Sequence, residues 1–374
     1  MRTTLRPALL LGLALQLPAQ TLTLPPDGGN MKASVTQAIG PVTVSVSYSS
    51  PRVHLAGQDR TGKIWGELVP YGMSDLGFNG CTSCPWRAGA NENTVFTVSH
   101  PIKVEGRPLP AGSYGLHMVP GKETFTVIFS KHAGAWGSYF YDPKEDALRV
   151  EVKPAKAEFH EWLSYEFTER EPARATLALF WENLKVPVAL AVEDPDEIYF
   201  QTLVRELRGG MGFNWVHLSN AAQFTLKTGK HLEEGLAWAR RAVEAPYIGQ
   251  ENFQTLSTVG LLELALGRAE QAARTFEKAI AGGAPRPVDG HQLGRQLLQQ
   301  GRKAEALRIF EANARRFPNQ WPVHVGLARG HAANGNLKKA LEHARLGLAQ
   351  APDELNRKSL AGMVEQLEKG QAPK

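Results

Sequence analysis

"GRAEQAARTFEKAI", residues 267–280, opens on a glycine, places a small alanine at 272 and an aromatic at 276, and spaces its apolar residues as one face of a helix. The arrangement returns as "GRKAEALRIFEANA" from Gly301 and "GNLKKALEHARLGL" from Gly335, so the opening glycines at 267, 301 and 335 are evenly spaced. Ala272, Ala306 and Ala340 share one phase, and Phe276, Phe310 and Ala344 share another. Pro318 and Pro352 each stand at the same distance after their unit's glycine, with Pro285 displaced by one position. An earlier copy, "GKHLEEGLAWARRAVEAP", keeps that glycine-to-proline separation between Gly229 and Pro246 and has Trp238 at the aromatic position. Gly229 precedes Gly267 by slightly more than the period, which assigns the excess to an insertion at "YIGQ", 247–250.

An even period of about 34 residues with this punctuation resembles the tetratricopeptide repeat, and the resemblance covers residues 213–352. The glycine makes a tight turn within a helix pair, the alanine lets helices approach, and the proline ends the second helix. "DELNRKSLAGMVEQLEKG" then reads as a capping helix over 353–370, and 196–212 as a linker or a first helix. Arrays of this kind stack into a solenoid whose concave surface holds partners, so the resemblance implies a protein or peptide partner. The competing reading is that the repeats only support the first half of the chain. Arg240, Arg241, Arg274, Arg308, Arg315 and Arg316, on the second helices, read as a solvated face.

Residues 32–194 carry a different signal. "VTVSVSY" alternates strictly and places Val42, Val44, Val46 and Tyr48 on one face. "TVFTVS", "SYGLHMV", "TFTVIFS", "ALRVEVK", "WLSYEF", "ATLALFW" and "VPVALAV" follow, separated by turns such as "LPAG" and "VPGKE". With no helical pattern between them, these runs imply an antiparallel β-sandwich or jelly roll and exclude a parallel α/β fold.

Several motifs of this half, "SPRV" (50–53), "KIWGELVPYG" (63–72), "WRAGANENTVF" (86–96), "LPAGSYGLHMVPG" (109–121), "WGSYFYD" (136–142) and "LFWENLKVPVAL" (179–190), occur in order. Together they resemble an exported bacterial family built on the domain of unknown function numbered 2911, over residues 32–192. The resemblance implies no assigned activity and no catalytic residue. In that family "LVPYG" runs almost directly into "WR-x-GANE", whereas here "MSDLGFNGCTSCP" intervenes, so Cys81 and Cys84 belong to an insertion.

The opening "MRTTLRPALLLGLALQLPAQ" has arginines at 2 and 6, an apolar run from Ala8 to Leu17 and small residues near Ala19. It reads as a signal peptide over 1–20, which implies a periplasmic or extracellular protein. The run is about half the roughly 20 residues a bilayer span needs. The formal net charge of +5 comes from the second half, where residues 196–374 hold 24 basic against 18 acidic side chains. That excess is mild and unclustered, which argues against a nucleic-acid partner.

The C-x-x-C of Cys81 and Cys84 lacks the histidine of a haem site, since Pro85 follows it. A structural zinc wants four ligands, and the spacing of His54, His100 and His117 requires none. In an oxidising compartment two such cysteines pair as a disulfide. Arg87 offers a planar fork of donors, and Asn91, Glu92 and Asn93 supply donors and acceptors beside it. Two readings follow: Arg87 and Glu92 pair and pin a loop, or Arg87, Asn91, Glu92 and His117 bind a small polar ligand such as a glycan. His117 falls on the opposite strand face from Tyr114, Leu116 and Met118. Asp142 reads as a turn former and Glu182 as the cap of a strand end. Trp136, Tyr139 and Tyr141 read as core or as a sugar-stacking platform. No G-x-S-x-G, H-E-x-x-H or phosphate-cradling motif is present, and no motif calls for a cofactor. The sequence therefore points to an exported binding or scaffold protein rather than an enzyme, with ligand binding or hydrolysis by the β-domain as the alternative.

Overall fold

The structure, a computed structural model, describes residues 29–55, 57–77, 81–282 and 285–373. The expected signal peptide lies outside these residues. The chain divides into two units, residues 1–195 and 196–374.

In the first unit the strands are β1 (Met31–Ile39), β2 (Val42–Ser50), β3 (His54–Leu55), β4 (Gln58–Asp59), β5 (Thr94–Val98), β6 (Ile102–Val104) and β7 (Arg107–Leu109). They continue with β8 (Gly112–Val119), β9 (Phe125–Ser130), β10 (Asp146–Val152), β11 (Ala155–Glu171) and β12 (Arg174–Ala191). A six-stranded antiparallel sheet runs β1-β2-β5-β8-β9-β10, and a second runs β11-β12-β6-β7. The alternation in β2 does what it predicts: Val42, Val44 and Val46 are fully buried. Aromatic rings join the two sheets. Tyr48 on β2 meets Tyr165 on β11 edge-on at 4.9 Å, and Trp65 lies between Phe125 on β9 and Trp181 on β12 at 5.6 and 5.9 Å. This is a sandwich, as the strand pattern requires.

Two expectations change. "ATLALFW" and "VPVALAV" are one strand, β12, rather than two. Glu182, expected at a strand end, sits inside it with φ +54, where the pairing with β11 shifts register. That irregularity is a bulge, which turns the Glu182 carboxylate inward to accept the Gly62 N–H.

The second unit is helical: α1 (Pro195–Glu206), α2 (Trp215–Thr228), α3 (Leu232–Glu244), α4 (Phe253–Ala265), α5 (Ala269–Gly282), α6 (Pro287–Gln299), α7 (Lys303–Arg316), α8 (Trp321–Ala333), α9 (Leu337–Ala349) and α10 (Glu354–Glu368). The repeat glycines Gly229, Gly267, Gly301 and Gly335 join the members of each pair, all with φ between +69 and +82. Only glycine adopts that region without strain. Residues 245–252 connect α3 to α4 where 317–320 suffice between α7 and α8, which places the insertion where the period does. The phased alanines 272, 306 and 340 are all at most 1% exposed. The phased aromatics fill gaps left by glycines: a Cβ on Gly260 would come within 2.4 Å of the Phe276 ring, and one on Gly294 within 2.3 Å of Phe310. α10 closes the stack with Leu360, Met363 and Leu367 buried, and Asp353 caps its first turn by accepting the Asn356 N–H.

Gly294→Ala sets helix propensity against packing. Alanine favours the helix by about 1 kcal/mol, but overpacking of a filled core costs about 1–3 kcal/mol, and here the obstacle is the body of an aromatic ring. The variant should lower the stability of the helical unit by about 1–2 kcal/mol, read as a reduced urea midpoint. Unchanged or raised stability would show that Phe310 does not need that gap.

Candidate functional site

The polar motif of the β-domain is built on the segment 86–94, which docks on β8. Trp86 exchanges two backbone hydrogen bonds with Met118, both 2.8 Å. The chain then bends sharply, with Ala88 at φ +49 and Asn91 at φ +58. The Ala88 carbonyl accepts from the Tyr165 hydroxyl at 2.7 Å and from Thr94 Oγ1 at 3.0 Å, so both sheets hold the bend.

Arg87 and Glu92 do not pair. The Arg87 guanidinium donates to the Asn91 carbonyl, lies 5.1 Å from the Tyr139 ring centroid, and rests on the bare Cα of Gly137. Glu92 turns the other way, to Lys32 Nζ at 3.0 Å and to the Ser49 hydroxyl at 3.1 Å. Its carboxyl is held below the usual range by its own backbone N–H and by Lys32, which leaves it ionised at neutral pH and unsuited to acid catalysis. The Asn91 side chain accepts from Asn30 at 3.0 Å. Asn93 is buried and donates to the His132 carbonyl at 3.1 Å.

His117 is 2% exposed because the segment after β9 folds over its face of the sheet. Its Nδ1 lies 2.9 Å from the Ser138 hydroxyl and its ring meets Tyr141 edge-on at 5.5 Å. Burial pushes the imidazole down to about 4, with the charges of Arg87 and His132 adding to the effect. The four residues expected to share a ligand are thus divided. Arg87 is within electrostatic reach of His117, Asn91 fastens the bend, and Glu92 belongs to a surface ion pair.

Of the aromatics, Trp136 is 54% exposed, Tyr139 covers Arg87, and Tyr141 donates to Asp146 at 2.8 Å. Asp142 caps the turn that follows it. Cys81 and Cys84 form a disulfide, and Ser74 pairs with Cys84 through backbone bonds of 2.9 and 2.8 Å that close the base of the inserted loop. No group of three or more metal-ligating side chains that could hold an ion occurs among the described residues.

The helical unit carries a concavity of its own. A groove of about 710 Å³ is lined by the first helix of three successive pairs, α2, α4 and α6. Its apolar floor is Leu226, Phe253, Leu261 and Leu293. Its walls are mainly amides and hydroxyls, with Gln223, Gln254, Gln292, Gln296 and Gln300 prominent and Lys227 and Asp289 as the charged members. Gln292 and Gln296 stand one turn apart on α6, and Gln300, just past its end, continues the row. Gln223 donates to Thr258 at 3.3 Å across two helices, and the buried Ser257 hydroxyl has no hydrogen-bond partner. Of the two charged lining residues, Asp289 is paired with Arg286 at 2.9 Å. The second-helix arginines are exposed and take no part in the lining. The sequence signal for this site is the glutamines carried by the first helices, but the lining is spread over three repeats.

Residues 30–190 match the family model described as "Protein of unknown function (DUF2911)". The first unit carries a DUF2911 domain. No curated protein matches the chain. Among solved structures, the crystal structure of MamA is 12% identical, covering 45% of this chain and 92% of its own, with a TM-score of 0.31. YrrB, described as a TPR protein with an unusual peptide-binding site, is 18% identical over 45% of this chain and 84% of its own, with a TM-score of 0.27. TTC0263, a thermophilic TPR protein of Thermus thermophilus, is 18% identical over 46% of this chain and 91% of its own, with a TM-score of 0.30. The repeat architecture of the second unit rests on its own even period and glycine–aromatic packing.

His117 binds its proton less readily in the folded domain than in the unfolded chain, where it titrates near 6.5. The stability that this neutral histidine contributes is therefore full above about pH 6.5 and falls as pH drops towards 4, by roughly 3 kcal/mol in all. NMR titration should find His117 neutral down to about pH 4, and Arg87→Gln should raise that value. A midpoint near 6.5, or no response to Arg87→Gln, would contradict this packing.

Proposed function

We propose that the protein is a non-enzymatic binding protein that seats an extended, largely uncharged segment of a partner protein in the groove of α2, α4 and α6. The observation that carries the reading is the chemistry of that lining. A row of amides offers both donors and acceptors to a main chain that has no partner of its own, and an apolar floor receives a side chain between them. Glutamine amides do not select for charge, so recognition of this kind depends little on electrostatic attraction.

We also propose that the protein works outside the cytoplasm. The charged and then apolar opening of residues 1–20 and the Cys81–Cys84 disulfide support that reading. No helix among the described residues is long and apolar enough to cross a membrane. A small polar ligand in the β-domain has less support, because Arg87, Asn91, Glu92 and His117 spend their polar groups on internal contacts.

Peptides selected by the intact protein from a random library should be poor in charged residues. Their affinity should change less than about threefold between about 50 and 500 mM salt, measured by fluorescence anisotropy. Gln292→Arg with Gln296→Arg should weaken them at least about tenfold, or about 1.4 kcal/mol. Peptides rich in acidic residues, a steep loss of affinity with salt, or indifference to the double substitution would each overturn the reading.

A further inference from the structure

Arg295 on α6 and Arg329 on α8 stand one repeat period apart, at equivalent positions of successive first helices. The same position one repeat earlier is Leu261, part of the apolar floor of the amide-lined groove. Exchanging leucine for arginine changes what the surface can hold. Arg295, Arg329 and Lys303, the first residue of α7, line one cleft of about 380 Å³ with Gln299, and no acidic residue lines it. None of the three cations forms an ion pair with a carboxylate among the described residues, whereas Arg240, Arg268, Arg286 and Arg345 of the same unit each do. Arg329 is half-buried, and its Nε–H is shut off from solvent without a hydrogen-bond partner. A buried charged donor left unpaired is costly. The charge acting on it is repulsive as well: burial and then Arg295 hold its guanidinium below the usual arginine range. His291, one turn before Arg295, feels the same field. Its imidazole is pushed down to about 4 by burial and then by Arg329 and Arg295, so it is neutral at pH 7.

We propose that Arg295, Arg329 and Lys303 form a site for a phosphate group, either the free ion or a small phosphate monoester, whose lining shares no residue with the peptide groove. The planar forks of two arginines match the oxygens of a phosphate, and the lysine adds a point charge. A phosphate group near its dianionic form offsets more of the three positive charges than a single carboxylate does. The cleft has the volume of a small-molecule pocket. Leu298 and Ala333 give the body of an ester an apolar wall. The cluster is invisible as a basic run in the sequence because its two arginines are a full repeat apart.

Titration of the intact protein at low ionic strength with inorganic phosphate and with glycerol 3-phosphate, against acetate and chloride as controls, tests this without any peptide. Phosphate or its ester should bind saturably, and the tighter of the two identifies the source of the group. Arg295→Gln and Arg329→Gln should each weaken binding at least about tenfold, the loss expected of one charge-assisted hydrogen bond. Arg274→Gln, an exposed second-helix arginine, should leave it unchanged. Should a variant unfold, ¹⁵N spectra of the unaltered protein decide: the Arg329 Nε–H resonance should shift with phosphate or the ester and not with chloride. Absence of binding, acetate binding as tightly as either phosphate, binding retained by both variants, or shifts confined to other arginines would overturn the proposal.

Discussion

The helical unit depends on how one aromatic ring sits among glycines. Phe310 of α7 lies where a Cβ on Gly294 of α6, or on Gly326 and Gly330 of α8, would be 2.3 to 2.7 Å from it. One side chain thereby sets the spacing of α7 from its own partner and from the next pair. Phe276 does the same against Gly260. Because second helices are held against first helices in this way, α2, α4 and α6 are left adjacent, with a groove along them. The groove is thus a by-product of core packing, and its polar lining can vary without disturbing the aromatic contacts.

The β-domain applies polar groups to a different end. Its tightest bend, at Ala88, is fastened by hydroxyls from Tyr165 and Thr94, and its covering segment is fastened by His117, Asn93 and Arg87. Buried polar groups must be hydrogen-bonded or cost stability. A loop that leaves the strand ladder over a sandwich meets that demand with side chains. This accounts for the density of Arg, Asn and Glu in "WRAGANENT" without a ligand.

The repeat is legible in the sequence because every feature that defines it, from the turn glycine to the closing proline, lies within one helix pair. The alternation of "VTVSVSY" and the sandwich it implies are legible for the same reason. What stays hidden depends on distant pieces of chain. Strand alternation places His117 on a face, yet does not say that residues after β9 bury it. Proximity in sequence suggests an Arg87–Glu92 pair, but the positive φ of Asn91 directs the two side chains apart. Glu182 looks like a strand end because a polar residue interrupts an apolar run, and the bulge that admits it is visible only in the pairing with β11. The groove likewise joins residues from separate helices.

The central claim is that the inner face of the first helices is the binding surface. Amide and glutamine side-chain NMR of the intact protein, titrated with a peptide it selects, tests this most directly. Perturbations should concentrate on Gln223, Gln254, Ser257, Gln292 and Gln296. Perturbations centred instead on the second-helix arginines, or on Arg87 and His117 of the β-domain, would contradict it.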